Sequence, residues 1–269
     1  MRADLIIKDA VLYQSAASSP SHDWLVIRNG IIEAVLPEKE ASGSDWDCEV
    51  LSLDGRTILP GLYDSHIHML MYARSLEYVD CETETLKECL DRVKLKAGST
   101  AHGDWILGHG WDHNRWNRSG NRDDLDAITT EHPVFLTSKS LHSSWANSAA
   151  LQLCGIDDHT PDPDGGILDR DVSGRLTGIL LEKASNLIEH VIPVPDHEQA
   201  VSLLSEAQKR LWRYGITGVH NFDRQNCFRA LQSLHLRGML GLHVLQSIPL
   251  EALDDAAAAG ITSLLGDEW

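Results

Sequence analysis

The 269 residues hold little that would mark a membrane, secreted or nucleic-acid-binding protein. No stretch approaches the roughly 18 apolar residues of a membrane span. The start, Met1-Arg2-Ala3-Asp4-Leu5-Ile6-Ile7-Lys8, lacks the apolar segment and small-residue cleavage site of a secretory signal. A soluble, cytoplasmic protein is therefore expected. Lys and Arg number 23 against 40 Asp and Glu, a formal charge of −17. Phosphate contacts need clustered cations, so nucleic acid is not expected as a partner. Five cysteines (Cys48, Cys81, Cys89, Cys154, Cys227) are scattered without C-x-x-C spacing. That pattern fits neither a disulfide framework nor a thiolate zinc knot, and free thiols are expected.

What the chain does have is histidine, 14 in all, several of them where a strand signal ends. The first sixty residues read as β structure. Asp4 to Leu12 is a short apolar strand, and Trp24–Arg28 and Ile31–Val35 flank Asn29-Gly30, the dipeptide favoured in a type I′ hairpin turn. Leu51 to Leu59 predicts a further strand pair around Asp54-Gly55.

After Pro60-Gly61 the pattern changes. Leu86 to Ala97 predicts a helix, residues 98 to 126 read as a functional loop, and Pro133–Thr137 is a compact buried strand. Within that loop Trp105, Trp111 and Trp116 are expected to fill a small satellite core. Trp145 to Leu153 predicts a helix stopped by Gly155, and 164 to 181 a hairpin turning at Ser173-Gly174. From Asp196 onward helix and strand alternate: a helix to Tyr214 with Gly215 behind it, a strand at Ile216–His220, a helix near Phe228–Arg237, a strand at Leu240–Ile248, and a helix from Pro249 to Gly260. Such alternation belongs to a β/α barrel or an open doubly wound sheet.

The chemistry centres on Ile58-Leu59-Pro60-Gly61-Leu62-Tyr63-Asp64-Ser65-His66-Ile67-His68. Side chains alternate along a strand, so His66 and His68 project to one face, about 7 Å apart by the rise per residue, with Asp64 sharing their parity. Two imidazoles so placed can converge on one cation, and imidazole is a good ligand for zinc. Spacing alone does not separate such a pair from two unrelated loop histidines.

The segment Leu59 to His68 resembles the first-strand metal motif of the amidohydrolase superfamily. Gly110-Trp111-Asp112, Leu125-Asp126, His142-Ser143-Ser144-Trp145-Ala146-Asn147-Ser148, Asp164-Gly165-Gly166 and Gly215-Ile216-Thr217-Gly218-Val219 are similar to stretches of its YtcJ-like (amidohydrolase 3) branch. The resemblance runs from about residue 4 to the end and implies an α/β fold. It would be part of a (β/α)8 TIM-like metal-dependent hydrolase barrel, with a small N-terminal β-sandwich-type unit and an inserted loop and hairpin region. The expected boundaries are 1–59 for the β-rich unit and 60–269 for the incomplete barrel, with the insertion at about 75–195. Barrel strands are expected near 62–68, 133–138, 216–221 and 241–247.

The resemblance further implies hydrolysis of a non-peptide carbon–nitrogen bond in a small-molecule substrate. His66 and His68 would hold a divalent metal, zinc by preference, whose bound water attacks. Members of the branch are about twice as long, so the chain is expected to be an N-terminal fragment, with the catalytic residue and remaining ligands beyond residue 269. Asp64, His142, Glu182 and His220 are the candidates for substrate contact or for support of the metal ligands. Blander roles stay open for them: a loop histidine paired with Asp or backbone at 142, and a helix-start glutamate at 182. Asp223 is a further candidate at the mouth beside His220. Also open are a catalytically silent product with a weak two-ligand site and an isomerase or other hydrolase on the same fold. Self-association into a homo-oligomer is left open as well.

Overall fold

A computed structural model describes residues 3–15, 17, 19–43, 46–116 and 118–262. The chain divides into two compact units, Met1–Asp64 with Tyr214–Gly218, and Ser65–Arg213 with Val219–Trp269.

The first unit contains β1 (Leu5–Lys8), β2 (Val11–Leu12), β3 (Trp24–Arg28), β4 (Ile31–Leu36), α1 (Glu38–Ala41), β5 (Glu49–Ser52) and β6 (Thr57–Ile58). The expected hairpin is present: β3 and β4 are antiparallel, and Asn29 (φ 51°) and Gly30 (φ 77°) supply the two left-handed residues its turn needs. The single strand expected over residues 4–12 is two, because Asp9 turns the chain at φ 55°. β1 then joins a four-stranded sheet of order β4-β3-β1-β5, while β2 pairs with β6. The two strands expected around Asp54-Gly55 are present as β5 and β6, but they do not pair with each other. β5 lies parallel to β1 and β6 parallel to β2, so the turn carries the chain from one sheet to another instead of closing a hairpin. Ile6, Trp24, Val26 and Ala41 form one core and Ala10, Leu12 and Leu25 a second.

Strand β7 (Leu62–Ile67) leads into the second unit. There follow α2 (Met69–Ser75), β8 (Val79–Asp80), α3 (Leu86–Ala97), β9 (Ile106–Trp111), α4 (Arg122–Asp126), β10 (Val134–Ser138), β11 (Ser143–Ala146) and α5 (Ser148–Leu153). Then come β12 (Gly166–Arg170), β13 (Leu176–Glu182), α6 (Asn186–Glu189), α7 (His197–Arg213), β14 (Ile216–Asn221), α8 (Gln225–Leu236), β15 (His243–Gln246) and α9 (Leu253–Ala258). α3 starts at a Thr85 cap and buries Cys89 and Val93. α7 buries Val201, Leu204, Ala207 and Leu211, whereas Trp212 is exposed and donates its indole N–H to the Gly241 carbonyl.

Six strands form one sheet of order β12-β13-β11-β10-β9-β8. It corrects three expectations. The loop expected over 98–126 contains β9, hidden by two glycines; a Cβ on Gly108 would lie 2.6 Å from Leu136 Cδ2 and 2.8 Å from Cys81 Sγ. The helix expected from Trp145 is strand β11 followed by the shorter α5, because Trp145 pairs with Leu136 and Ile179 across two neighbouring strands. β10, expected among the barrel strands, belongs here, parallel to β9 and antiparallel to β11. Trp111, Trp116 and Trp145 pack together in the core of this sheet, as the satellite-core reading of the tryptophans expects for the first two.

The other three expected barrel strands share a separate sheet of order β15-β14-β7. The Leu62 N–H donates to the Gly215 carbonyl and the Phe222 N–H to the Ile67 carbonyl, so residue numbers rise together along β7 and β14. Both strands therefore deliver their C-terminal ends to the same side, where the histidines lie. All five cysteines are free thiols.

Candidate functional site

His66 stands on β7 and His68 directly after it, as the N-cap of α2. Their ring centroids are 5.6 Å apart with planes at 72°, and both side chains reach solvent. The twist at the strand end thus brings the rings closer than the straight-strand spacing of about 7 Å.

The end of β14 supplies the surroundings. The Phe222 ring stacks flat on His66, centroids 4.1 Å apart at 15°. Asp223 places Oδ1 3.5 Å from His68 Nδ1, a contact longer than a formed hydrogen bond. Its other oxygen, Oδ2, accepts from the Leu70 N–H at 2.6 Å, and Asn221 Oδ1 accepts from the Met69 N–H at 2.9 Å. The first backbone donors of a helix have no partner within it. His68 makes no capping bond for α2, so Asn221 and Asp223 satisfy these donors from a distant part of the chain. Gln246 of β15 braces both: its Oε1 accepts from Asn221 Nδ2 at 2.7 Å and its Nε2 donates to the Asp223 carbonyl at 2.8 Å. Below them Cys227 is buried, and burial, with the nearby Asp223 carboxylate, pushes its thiol up to about 12.

The remaining sequence candidates lie in two places. Asp64, half-buried, is on β7, and His220, half-buried, is on β14. His142 and Glu182 belong to the six-stranded sheet instead, where His142 Nδ1 lies 3.2 Å from Glu182 Oε2 and the Glu182 N–H donates to the His142 carbonyl. Leu141 (φ 64°) and Glu182 (φ 51°) both hold left-handed backbone there. The structure therefore pairs His66 with His68, and His142 with Glu182, on different sheets. Asn221 and Phe222 escaped the sequence reading. Their only signal is that they continue the strand-end run His220-Asn221-Phe222-Asp223.

Two solvent-reached imidazoles with converging rings suit a divalent cation of the zinc type as two of its donors. Zinc sites use three or four protein ligands, and among the described residues no three His, Cys, Asp or Glu side chains gather to hold an ion. The donor set fits a metal as part of a centre.

The chain belongs to the amidohydrolase family, whose sequence model matches residues 49–264. Over 226 residues it is 36% identical to a protein of Arthrobacter pascens named N-substituted formamide deformylase, covering 80% of this chain and 42% of that protein. Over 225 residues it is 33% identical to the putative amidohydrolase YtcJ of Bacillus subtilis (strain 168), covering 82% of this chain and 39% of YtcJ. Among solved structures it is similar to an uncharacterized metal-dependent hydrolase from Pyrococcus horikoshii OT3. The TM-score is 0.71 at 28% identity, over 98% of this chain and 52% of the other. The chain spans about two fifths of the curated relatives named here and corresponds to the N-terminal part of that fold.

Proposed function

We propose that this chain is the N-terminal part of a metal-dependent amidohydrolase that cleaves a non-peptide, amide-type carbon–nitrogen bond in a small molecule. The observation that carries the reading is the convergence of His66 and His68, 5.6 Å apart, at the end of β7 in a chain of this family. In this reading β7, β14 and β15 are strands of a β/α barrel, the six-stranded sheet lies in an insertion at about 75–195, and the β-rich leader is a sandwich-type unit. Relatives named as a formamide deformylase and a metal-dependent hydrolase support the reaction class.

His66 and His68 would bind the cation, zinc by preference. A cation held there supplies Lewis acidity and makes water acidic enough to ionise near neutral pH. The flat contact with Phe222 keeps the His66 ring in its plane while the substrate comes and goes. Asp64 and His220 belong to the surroundings of the same centre, and His142 with Glu182 is assigned to substrate contact. The further ligands and the general base come from the part of the fold that the relatives have beyond the matched region. A second reading has its own observation. Two donors alone hold zinc weakly, so the 269-residue chain by itself would be catalytically silent.

Elemental analysis of the purified chain, with and without the double change His66→Ala and His68→Ala, tests the ligands. Bound or bindable zinc that disappears in the double variant supports the assignment, and equal metal content in both removes it. Turnover of an N-substituted formamide by the chain alone decides against silence.

A further inference from the structure

Three consecutive side chains at the end of β14 each engage a different part of the segment His66 to Leu70. Phe222 covers one face of His66, Asn221 takes the Met69 N–H, and Asp223 divides its two oxygens between the Leu70 N–H and His68 Nδ1. Asp223 is well covered, at 16% side-chain exposure against 43% for His68. Its orientation is set by the 2.6 Å bond from Leu70 and by the hold of Gln246 on its own carbonyl.

A neutral imidazole carries one N–H and one lone pair, and a carboxylate only accepts. A carboxylate fixed opposite Nδ1 therefore selects the ring form with hydrogen on Nδ1, which leaves the lone pair on Nε2. Metal-binding histidines depend on such partners, whose loss typically weakens metal affinity by 10–100-fold.

We propose that Asn221-Phe222-Asp223 is a preorganising cradle for the histidine pair, in which Asp223 is the positioning residue that fixes the His68 tautomer and presents Nε2 to a divalent cation. The proposal rests on the reading of His66 and His68 as metal ligands. It extends that reading by naming what sets their geometry before any cation arrives. One feature makes the role separable from mere helix capping. In Asp223→Asn the amide oxygen can keep the Leu70 N–H, while the amide nitrogen then faces His68 Nδ1 as a donor. The cap survives and the tautomer preference reverses.

The test uses the 269-residue chain, metal-free and labelled with nitrogen-15. Long-range proton–nitrogen NMR reports which ring nitrogen of His68 is protonated, and competition with a chromophoric chelator reports zinc affinity. The expected result is Nδ1–H in the unmodified chain and Nε2–H in D223N, with zinc affinity at least tenfold lower in the variant. An unchanged tautomer, or unchanged zinc affinity, in D223N overturns the positioning role. If the tautomer reverses but removing both histidines leaves zinc binding as it was, the ligand reading fails, and with it the metal-directed purpose of the cradle. Should D223N not fold, Phe222→Leu keeps both helix-capping bonds and removes only the stacking on His66. A tenfold loss of zinc affinity there supports the cradle, and an unchanged value overturns it.

Discussion

Cys227 and Cys81 tie stability to alkaline pH. Burial, aided by Asp223, pushes the Cys227 thiol up to about 12, and the hydrogen bond to Cys89, followed by burial, raises Cys81 far above the usual thiol range. An unfolded cysteine ionises near about 8.5. Because the folded values are raised, the folded state keeps its protons longer. The associated stability is complete below about pH 8.5 and is lost as pH climbs toward the folded values. The thermal midpoint, followed by calorimetry in reducing buffer, is expected to hold below pH 8.5 and fall above it. Cys227→Ala should give a shallower fall, and an unchanged slope would refute the assignment. At this scale the sequence is readable where a residue type carries its own chemistry. His66 and His68 stand out by type and parity. Asn221 and Phe222 do not, since their meaning comes from partners 152 and 156 residues away (221 − 69 and 222 − 66).

Asn147 decides where one element stops and the next begins. Its Oδ1 accepts from the Ala150 N–H, capping α5, and from the Val134 N–H of β10. Its Nδ2 donates to the Thr129 and His132 carbonyls. Removing an N-cap costs about 1 kcal/mol, and a buried group left without a partner about 1–3 kcal/mol. Asn147→Ala is therefore expected to lose about 2–4 kcal/mol in urea unfolding. Asn147→Asp keeps the acceptor but sets a buried carboxylate oxygen against the Thr129 and His132 carbonyls, so near neutral pH it should lose at least as much as Asn147→Ala. The same residue explains a misreading. Trp145 to Leu153 looks helical by composition, but Trp145 and Ala146 complete a strand whose partners lie on either side, and Asn147 then starts the helix. Elements with local signals, such as α3 and the β3–β4 hairpin, were legible almost to the residue. β9 was not, because Gly108 and Gly110 interrupt its apolar pattern while fitting its close neighbours.

For the molecule as a whole, 40 acidic against 23 basic residues leave a net charge that repels itself. Raising sodium chloride from 0.05 to about 0.5 M shortens the screening length severalfold. The thermal midpoint is expected to rise with it, and a midpoint that falls would show that the surface ion pairs matter more than the repulsion. Sheet membership is the property least visible in sequence. A buried apolar strand such as β10 reads the same in a barrel or in a six-stranded sheet, and only pairing across long separations settles which. The helix that follows the two histidines illustrates a consequence in time. Its opening turn is completed by side chains 152 and 153 positions later. At translation rates of about 5–20 residues per second, a ribosome needs roughly 8–30 s to reach them. The histidine pair leaves the exit tunnel early and is organised late, well after the segments that surround it in the chain have been made.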